Sequence, residues 1–525
     1  MKKFFKWFLI TILLIILMIV IAPFVILQVG SDSAKTSTKM LLNALIGYGV
    51  DSPHANMVNQ RFRVPEGFVI SVFAKNLGNI RLMHTTSVGD VLVSRPRAGD
   101  ILLLKKDSNS DGKADVPLRL LTGLDRVHGF DIDEQWLYFA DATTVKRVEF
   151  DQLAGKVLTE PETIVDGLTI DGNHWTKTLR IGPDGWIYLA MGSTCNVCEE
   201  DDPRRAAMIR FKPDGSEQSI YATGLRNSVG FDWAPWDQSL YATDNGRDFL
   251  GDDFPPCELN KIEKNGFYGW PYINGFAELD PNMGQGKEKL LATAISPAHG
   301  FNAHNAPLGI RFLTSSTTPS FDKVALVALH GSWNRSVRDG YKVVSLHWLS
   351  DGRIEERDFV TGFKLGDNDV IGRPVDITED SAGNIYISDD YSGAIYRVSY
   401  GAAQTVNVPT KQNVVAAAAG LKAGAKDALN MDDDAQDISD QQRSQLIDKG
   451  MRLYQQYACR NCHSTEKGGV SKSRWSRTLI ALDDLTLRYT TDELANFFLS
   501  PTPPMPVFPL DQEQRRALAV YLLGQ

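Results

Sequence analysis

Between Arg61 and Tyr400 the apolar positions come in short bursts, each opened by a turn containing Asp, Gly, Asn or Gln and closed by a small or acidic residue. The clearest copies are Gly89-Asp90-Val91-Leu92-Val93-Ser94, Gln135-Trp136-Leu137-Tyr138-Phe139-Ala140 and Gly185-Trp186-Ile187-Tyr188-Leu189-Ala190. They continue as Gln238-Ser239-Leu240-Tyr241-Ala242-Thr243, Lys323-Val324-Ala325-Leu326-Val327-Ala328 and Gly383-Asn384-Ile385-Tyr386-Ile387-Ser388. Aligned on Leu92, Tyr138, Tyr188, Tyr241, Leu326 and Tyr386, they recur at intervals of 46, 50, 53, 85 and 60 residues. Repeats of roughly 40–50 residues built from short strands and tight turns mark propeller blades. The spacing predicts an all-β, six-bladed propeller over residues 61–400, with a long insertion between the fourth and fifth copies. A β-sandwich with coincidental hairpins is the competing arrangement.

The strand pattern stops after Tyr400. Residues 401–441 hold an alanine run (Ala416 to Ala419), scattered glycines and the acidic stretch Asp432-Asp433-Asp434, which reads as a flexible linker. A loose helix over Val415 to Leu429 is the alternative. A linker of about 40 residues has a typical end-to-end distance of roughly 35 Å. A helical period returns over Gln442 to Gln456 and again over Glu513 to Leu523, so residues 442–525 form a small, mainly helical domain.

The N-terminus has a third pattern. Lys2, Lys3 and Lys6 precede an apolar run from Trp7 to Val29 whose clearly polar members are Thr11 and Gln28. Roughly 20 apolar residues cross the hydrocarbon core of a bilayer. The apolar region of a cleaved signal is shorter, about 7–15 residues, and ends at a small-x-small site, where this chain has Pro23-Phe24-Val25. No lipobox cysteine follows. The reading is therefore a single-pass transmembrane signal-anchor over residues 1–30, with a removed signal peptide as the alternative. Residues 31–60 then act as a spacer. The basic flank stays cytoplasmic and the bulk of the chain lies in the periplasm, held at the inner membrane.

Composition narrows the function. The 525 residues carry 55 Lys and Arg against 64 Asp and Glu, a net charge of −9, with 43% hydrophobic and 23% charged residues. Those are ordinary globular values and exclude a disordered, collagen-like or polytopic membrane protein. An acidic balance gives no support for nucleic-acid binding. Five cysteines are too few for a disulfide scaffold.

Two of those five sit in a motif with chemistry of its own. Cys459-Arg460-Asn461-Cys462-His463 is C-x-x-C-H, the attachment sequence for c-type haem, with a zinc or disulfide site as the alternative. Two thiols reach the two vinyl groups of one macrocycle while the adjacent histidine reaches the iron. The second axial ligand is expected from Met505 in Pro503-Pro504-Met505-Pro506, the one methionine downstream of His463. Residues 445–525 resemble a class I cytochrome c domain. Cys195-Asn196-Val197-Cys198 reads as a disulfide in an oxidising compartment, since a zinc ribbon needs a second such pair nearby. Cys257 is left unpaired.

A haem fused to a propeller implies that the propeller produces or consumes electrons. No G-x-G-x-x-G follows a strand, so a nicotinamide or flavin dinucleotide fold is not indicated. The candidate chemistry lies in loops. His174, in Asn173-His174, suits a base that takes a hydroxyl proton. Arg226, in Gly224-Leu225-Arg226-Asn227, suits stabilisation of developing negative charge. Arg373, and Arg335 or Arg338, suit pairing with ligand carboxylates. Taken singly, each is as well explained by a structural or surface role.

Together they carry a resemblance. His174, Leu179 to Asp184, Gly224 to Asn227, Asn245-Gly246 and Gly266-Phe267-Tyr268-Gly269-Trp270-Pro271 match, in order, the soluble quinoprotein glucose dehydrogenases. Gly192 to Cys198, Asn302 to Gly309 and His330-Gly331-Ser332-Trp333-Asn334-Arg335 are closer to the sorbosone dehydrogenase-like branch, some of whose members carry a C-terminal cytochrome c. The likeness covers about residues 60–400. It implies pyrroloquinoline quinone and calcium on the propeller axis. It implies further that His174 takes the substrate proton as hydride passes to the quinone, that Arg226 stabilises the reduced quinone oxygen, and that Asn227 hydrogen-bonds the cofactor. The main-chain carbonyls of Gly246 and Arg247 would ligate calcium, and Arg373 and Arg335 would bind the cofactor carboxylates. The resemblance is incomplete. Ser193 and Asn173 stand where the glucose enzymes have acids, so their sugar specificity does not transfer. Cys257 stands where an acid belongs in this branch, beside the retained pair Asp252-Asp253.

Asp107, Asn109, Asp111 and Asp115 fall at positions 1, 3, 5 and 9 of a calcium-loop pattern with Gly112 at 6. Position 12 is Leu118, so the bidentate glutamate is missing and a plain polar hairpin is the alternative. The resulting expectation is an anchored periplasmic dehydrogenase that oxidises a sugar or related alcohol or aldehyde. It would pass electrons through haem c to a membrane quinone or cytochrome. A calcium-dependent, lactonase-like hydrolase and a catalytically silent propeller carrying an electron-transfer cytochrome are the alternatives.

Overall fold

The computed structural model describes residues 50–108, 112–314, 321–366 and 369–401, the helical stretches 440–456, 491–498 and 510–523, and short pieces at 21–22, 25, 38, 463–464 and 480–481. Contacts divide the chain into two units, Met1–Val406 and Asn407–Gln525.

The first unit is a six-bladed propeller. Its sheets begin, from the axis outward, with Met83–Thr85, Phe130–Asp133, Lys177–Ile181, Phe231–Trp233, Pro307–Phe312 and Pro374–Glu379. The second strand of each sheet is one of the six sequence repeats: Val91–Arg95, Trp136–Ala140, Ile187–Met191, Leu240–Asp244, Val324–Leu329 and Ile385–Asp389. These strands are buried on both faces because each blade is sandwiched between two others, which explains their continuous apolar runs. The fourth strands of blades 1, 2 and 3 are largely exposed. The ring closes with strand exchange: Phe68–Ala74, from the start of the unit, pairs with Ala394–Tyr400 as the outer strand of blade 6.

Six apolar clusters fill the six seams between blades. Leu92, Leu103, Leu137 and Phe139 join blades 1 and 2, for example, and Tyr188, Ala190, Phe231 and Ala242 join blades 3 and 4. A polar clasp reinforces alternate seams. The inner-strand residues Asp131, Asp232 and Asp376, on blades 2, 4 and 6, accept the backbone N–H groups of Ile181, Phe312 and Met83 at 2.9, 2.9 and 2.8 Å. Each aspartate thus satisfies an amide on the following blade.

The expected insertion falls between the fourth and fifth copies, and one sequence boundary shifts. The long insertion lies inside blade 4, between its strands Cys257–Ile262 and His299–Phe301, and its Gly266–Phe267 adds a parallel strand to blade 3. Residues 50–60, the end of the assigned spacer, pack on the propeller. His54 caps the helix Ala55–Arg61, Val58 and Phe62 enter the core between blades 5 and 6, and Ser52 Oγ donates to the Ser392 carbonyl at 2.6 Å.

In the second unit, helices Asp440–Gln456, Thr491–Phe497 and Gln512–Leu523 pack Leu453, Tyr454, Leu494, Phe498, Leu518 and Leu522 into one core. The first and last helices cross at Gly450, where any Cβ would collide with the Ala517 carbonyl. No helix among the described residues is long and apolar enough to cross a membrane, and the Trp7–Val29 run lies almost wholly outside them. Most of the linker 401–441, Cys459, Cys462 and Met505 also lie outside the described residues, and His463 is placed by its backbone alone.

Candidate active site

In a propeller the inner strands run the same way along the axis, so residues heading them gather at one end. Here each head carries a polar group: Arg81 before Met83, His128 before Phe130, His174 before Lys177, Arg226 and Asn227 before Phe231, Asn305 before Pro307, and Arg373 before Pro374. The loops joining second to third strands lie at the same end and supply Ser193 to Cys198, Gly246 to Asp253, His330 to Arg338, and Asp390.

His174 is held by Ser193. Its Nδ1 lies 3.0 Å from the Ser193 carbonyl and 2.9 Å from Ser193 Oγ, and Oγ itself donates to the Cys195 carbonyl. Nδ1–H therefore faces the carbonyl, which leaves Nε2 as the basic nitrogen, with no partner among the described residues. Burial, followed by the positive charge of Arg226, pulls the imidazole down to about 3, so it is neutral at physiological pH. Gly192 is required beneath it: a Cβ there would lie 2.5 Å from Asn227 Oδ1 and 2.6 Å from His174 Cβ. The Asn227 side-chain amide has no hydrogen-bond partner among the described residues, while its backbone N–H is taken by buried Asp244.

Arg226 is fixed from three sides. Nε donates to the Asn196 carbonyl at 2.9 Å, Nη1 to the Asn245 carbonyl at 3.0 Å, and Nη2 to Asn196 Oδ1 and Asp248 Oδ2 at 2.8 and 3.2 Å. One of its five N–H groups remains for a ligand. Asn196 sits in the loop closed by the Cys195–Cys198 disulfide, and it also accepts the Asp248 N–H. Asp248 accepts Asn334 Nδ2 at 3.0 Å from blade 5.

Across the axis, Arg373 donates to the carbonyls of His330 and Gly331 at 3.1 and 2.9 Å. His330 Nε2 lies 2.9 Å from Asp390 Oδ1, and Arg81 pairs with Asp390 Oδ2 at 2.8 Å. Against its own burial, the His330 bond and the Arg81 and Arg373 charges hold Asp390 well below the usual carboxylate range. Lys177 is 1% exposed, yet its Nζ has only the Trp175 carbonyl at 3.5 Å. Burial and the Arg205 and Arg126 charges lower it to about 8. Below Asn227, Asp244 and Glu258 face one another across the ladder, and burial pushes them up to about 7 and 8, with Asp244 adding to the Glu258 shift.

The sequence-derived candidates separate here. His174, Arg226 and Asn227 form one cluster, and Arg373 stands on the other side of the same opening. The Gly246 and Arg247 carbonyls accept no hydrogen bond among the described residues. The Arg247 side chain is turned away to Asp280 at 2.6 Å. Arg335 is used elsewhere: it donates to the Asp252 and Ala303 carbonyls and to Asp253 Oδ1, bracing the 252–253 loop. Arg338 is buried against Ser332 and Tyr341. In the calcium-loop pattern, Asp107 accepts the Gly112 N–H at 2.8 Å and Asp115 accepts Ser108 Oγ at 2.6 Å, while Asn109 and Asp111 lie outside the described residues. Cys257 is buried and free, and burial raises its thiol to about 11. Sequence reasoning passed over Arg81, His128, Lys177, Asn196, Asp248 and Asp390. For the first three the missing signal was position, just ahead of or at the head of an inner strand.

Buried polar atoms without partners concentrate at this end: Arg81 Nε, His128 Nε2, Asn245 Oδ1, His304 Nδ1 and Asn305 Oδ1. Such groups are costly unless a ligand or water meets them. With three arginines, a buried lysine and two unused carbonyls, they suit a polyanionic, oxygen-rich group with a divalent cation.

The fold and this opening define a six-bladed propeller whose axial end gathers arginines beside a neutral histidine. The chain belongs to the TrAA12-like family, whose model matches residues 62–265 and 276–401. It is 31% identical over 304 residues to the pyrroloquinoline quinone-dependent pyranose dehydrogenase of Coprinopsis cinerea, covering 45% of this chain and 41% of that protein. With the aldose sugar dehydrogenase YliI of Escherichia coli it shares 23% over 168 residues, 29% of this chain and 44% of that one. An uncharacterized protein of Borreliella burgdorferi is 38% identical over 219 residues, 41% of this chain and 57% of that one. The chain thus spans about half the length of the curated relatives it matches. The iodide structure of the Trichoderma reesei family AA12 enzyme superposes with a TM-score of 0.57 at 21% identity, covering 65% of this chain and 98% of that one. The holo pyranose dehydrogenase domain of Coprinopsis cinerea gives 0.56 at 21%, covering 66% and 98%. Both show the same fold.

Proposed function

We propose that this protein is a pyrroloquinoline quinone-dependent dehydrogenase of sugars or related alcohols and aldehydes. The observation that carries the reading is His174: a neutral, Ser193-oriented imidazole with Nε2 unengaged, beside a cation-rich opening with unused carbonyls. The family relationship supports it. When bound, the quinone supplies a two-electron acceptor. The Gly246 and Arg247 carbonyls would hold Ca2+, and Arg226, Asn227 and Arg373 would hold the quinone's oxygens. His174 Nε2 takes the proton of the substrate hydroxyl. Arg226, locked by Asn196 and Asp248, stabilises negative charge at a fixed point without reorganising.

The same proposal extends to the second unit as a cytochrome c. Cys459 and Cys462 would attach the haem and His463 and Met505 would ligate the iron. The helix crossing at Gly450 supports a compact domain around that sequence. Residues 1–30 would anchor the chain in the inner membrane, with a membrane quinone or cytochrome as acceptor.

The test uses full-length protein in detergent. Pyridine haemochrome spectra should show c-type haem that disappears in the Cys459→Ala, Cys462→Ala double variant. With the quinone and Ca2+ added, a panel of sugars and alcohols should reduce that haem, and His174→Ala should abolish the reduction. Failure of the quinone to bind in the presence of Ca2+ would overturn the dehydrogenase reading, and the hydrolase or silent propeller would take its place.

A further inference from the structure

Two largely exposed aromatic side chains adjoin, along the chain, the residues that brace Arg226. Phe249 is 69% exposed and Trp333 57% exposed, and their rings meet edge to face with centroids 5.9 Å apart at 86°. They come from different blades: Phe249 follows Asp248 in the blade 4 loop, and Trp333 precedes Asn334 in the blade 5 loop. The residues beneath them are bonded to each other, Asn334 Nδ2 to Asp248 Oδ1, and Asp248 Oδ2 holds Arg226. The pair is therefore fixed to the Arg226 network through adjacent backbone.

Folding alone does not account for Phe249. Its φ is +71°, a left-handed conformation that a bulky side chain adopts only at a penalty. Burial would offset such strain, but this ring stays mostly in water. Glycine at the same φ would be relaxed, as at Gly251 two residues on, where φ is +99°. The loop instead holds an unrelaxed, unburied aromatic ring against a second one. Phe276, 57% exposed on the same blade, has no ring partner among the described residues.

We propose that Phe249 and Trp333 form a stacking platform that selects cyclic sugars, gripping the apolar C–H face of a pyranose ring while its hydroxyl reaches His174. The proposal rests on the dehydrogenase reading and names its substrate class. A pyranose has one face of axial C–H bonds that lies well against an aromatic ring, whereas an open-chain polyol has none. Two rings at right angles give a floor and a wall. Selection for cyclic over linear substrates thus comes from the platform, and proton removal from His174.

The experiment measures turnover and binding separately on the full-length, quinone-loaded protein. Phe249→Ala and Trp333→Ala should each raise KM for the aldopyranoses turned over (D-glucose, D-galactose, D-mannose and D-xylose are the probes) by about tenfold, with a smaller change in kcat. KM for short linear diols should stay within twofold, and Trp333→Tyr and Phe249→Tyr should restore most of the loss. Independently of turnover, the pyranoses should change tryptophan fluorescence in the wild type but not in Trp333→Phe, while D-sorbitol changes neither. Turnover with pyranose KM unchanged in both Ala variants would overturn the platform and leave the dehydrogenase intact. Binding detected through Trp333 without oxidation of any sugar would uphold the platform and sink the dehydrogenase. If the variants slow reduction of an external electron-accepting protein and spare sugar KM, the pair is a protein-docking patch and the proposal fails.

Discussion

Replacing His174 by glutamine should change how stability depends on pH, in a direction set by the site. In the fold the imidazole is pulled down to about 3 by burial and by Arg226, while an unfolded chain has the ordinary value of about 6.5. Between these pH values the unfolded chain binds a proton that the folded one refuses. The contribution of this group to stability is therefore whole above pH 6.5 and is lost as pH falls towards 3. The loss is about 1.4 kcal/mol per pH unit, or about 2 kcal/mol by pH 5. Glutamine does not titrate and loses nothing. His128 and His330, also held below their ordinary values by burial, lose stability in the same direction but are present in both proteins and cancel. Urea unfolding of the quinone-free proteins, followed by tryptophan fluorescence at pH 7.5, 6 and 5, should show the variant gaining about 2 kcal/mol on the wild type across the series. The variant should also lose at least a hundredfold in kcat when loaded with quinone, as expected when a positioned base is removed. A stability difference constant to within about 0.5 kcal/mol from pH 7.5 to pH 5 would refute the burial-and-Arg226 account of this histidine.

Three further outcomes follow from the same geometry. Lys177→Met removes a buried cation with no carboxylate in contact, so it should stabilise the quinone-free protein by about 2–3 kcal/mol in thermal or urea unfolding at pH 7 while weakening quinone affinity in a titration. Gly192→Ala places a methyl 2.5 Å from Asn227 Oδ1 and 2.6 Å from His174 Cβ, so kcat should fall by about a hundredfold with the propeller still folded by circular dichroism. Asp376→Ala orphans the Met83 N–H at the seam between blades 6 and 1 and should cost about 1–3 kcal/mol in urea unfolding, against less than about 0.5 kcal/mol for the exposed Asp237→Ala.

The blades were legible because they are periodic. Each repeat marker, from Leu92 to Tyr386, falls on the second strand of its sheet, where burial on both faces favours a continuous apolar run. The closing strand Phe68–Ala74 was not legible as such, because a strand pairing with Ala394–Tyr400 more than 300 residues away leaves no local mark. In the site, His174, Arg226 and Asn227 were found through short motifs. Arg335 was misdirected by its motif: an arginine beside a turn can face the ligand or brace its own loop, and three carbonyl or carboxylate oxygens of residues 252, 253 and 303 draw it to the second role. Asp248 and Asp390 carry no motif. Their importance comes from the arginines of other segments they hold, which is a property of the closed ring.

The arrangement also explains why the base and the anion site belong together. His174 is weakly basic here because it shares a buried neighbourhood with Arg226 and Arg205, whose charges oppose a second cation. Asp248 neutralises Arg226 in part, at 3.2 Å and with its other oxygen engaged by Asn334. Arg205 spends its donors on the carbonyls of residues 169, 171 and 174 and has no carboxylate in contact. Uncompensated positive charge therefore remains next to the imidazole. An anion bound among these groups would cancel part of that field and raise the proton affinity of Nε2. Without it, burial and the same field keep the histidine neutral. On the proposed function, the cations that would hold the anionic group would also tune the strength of the base beside it.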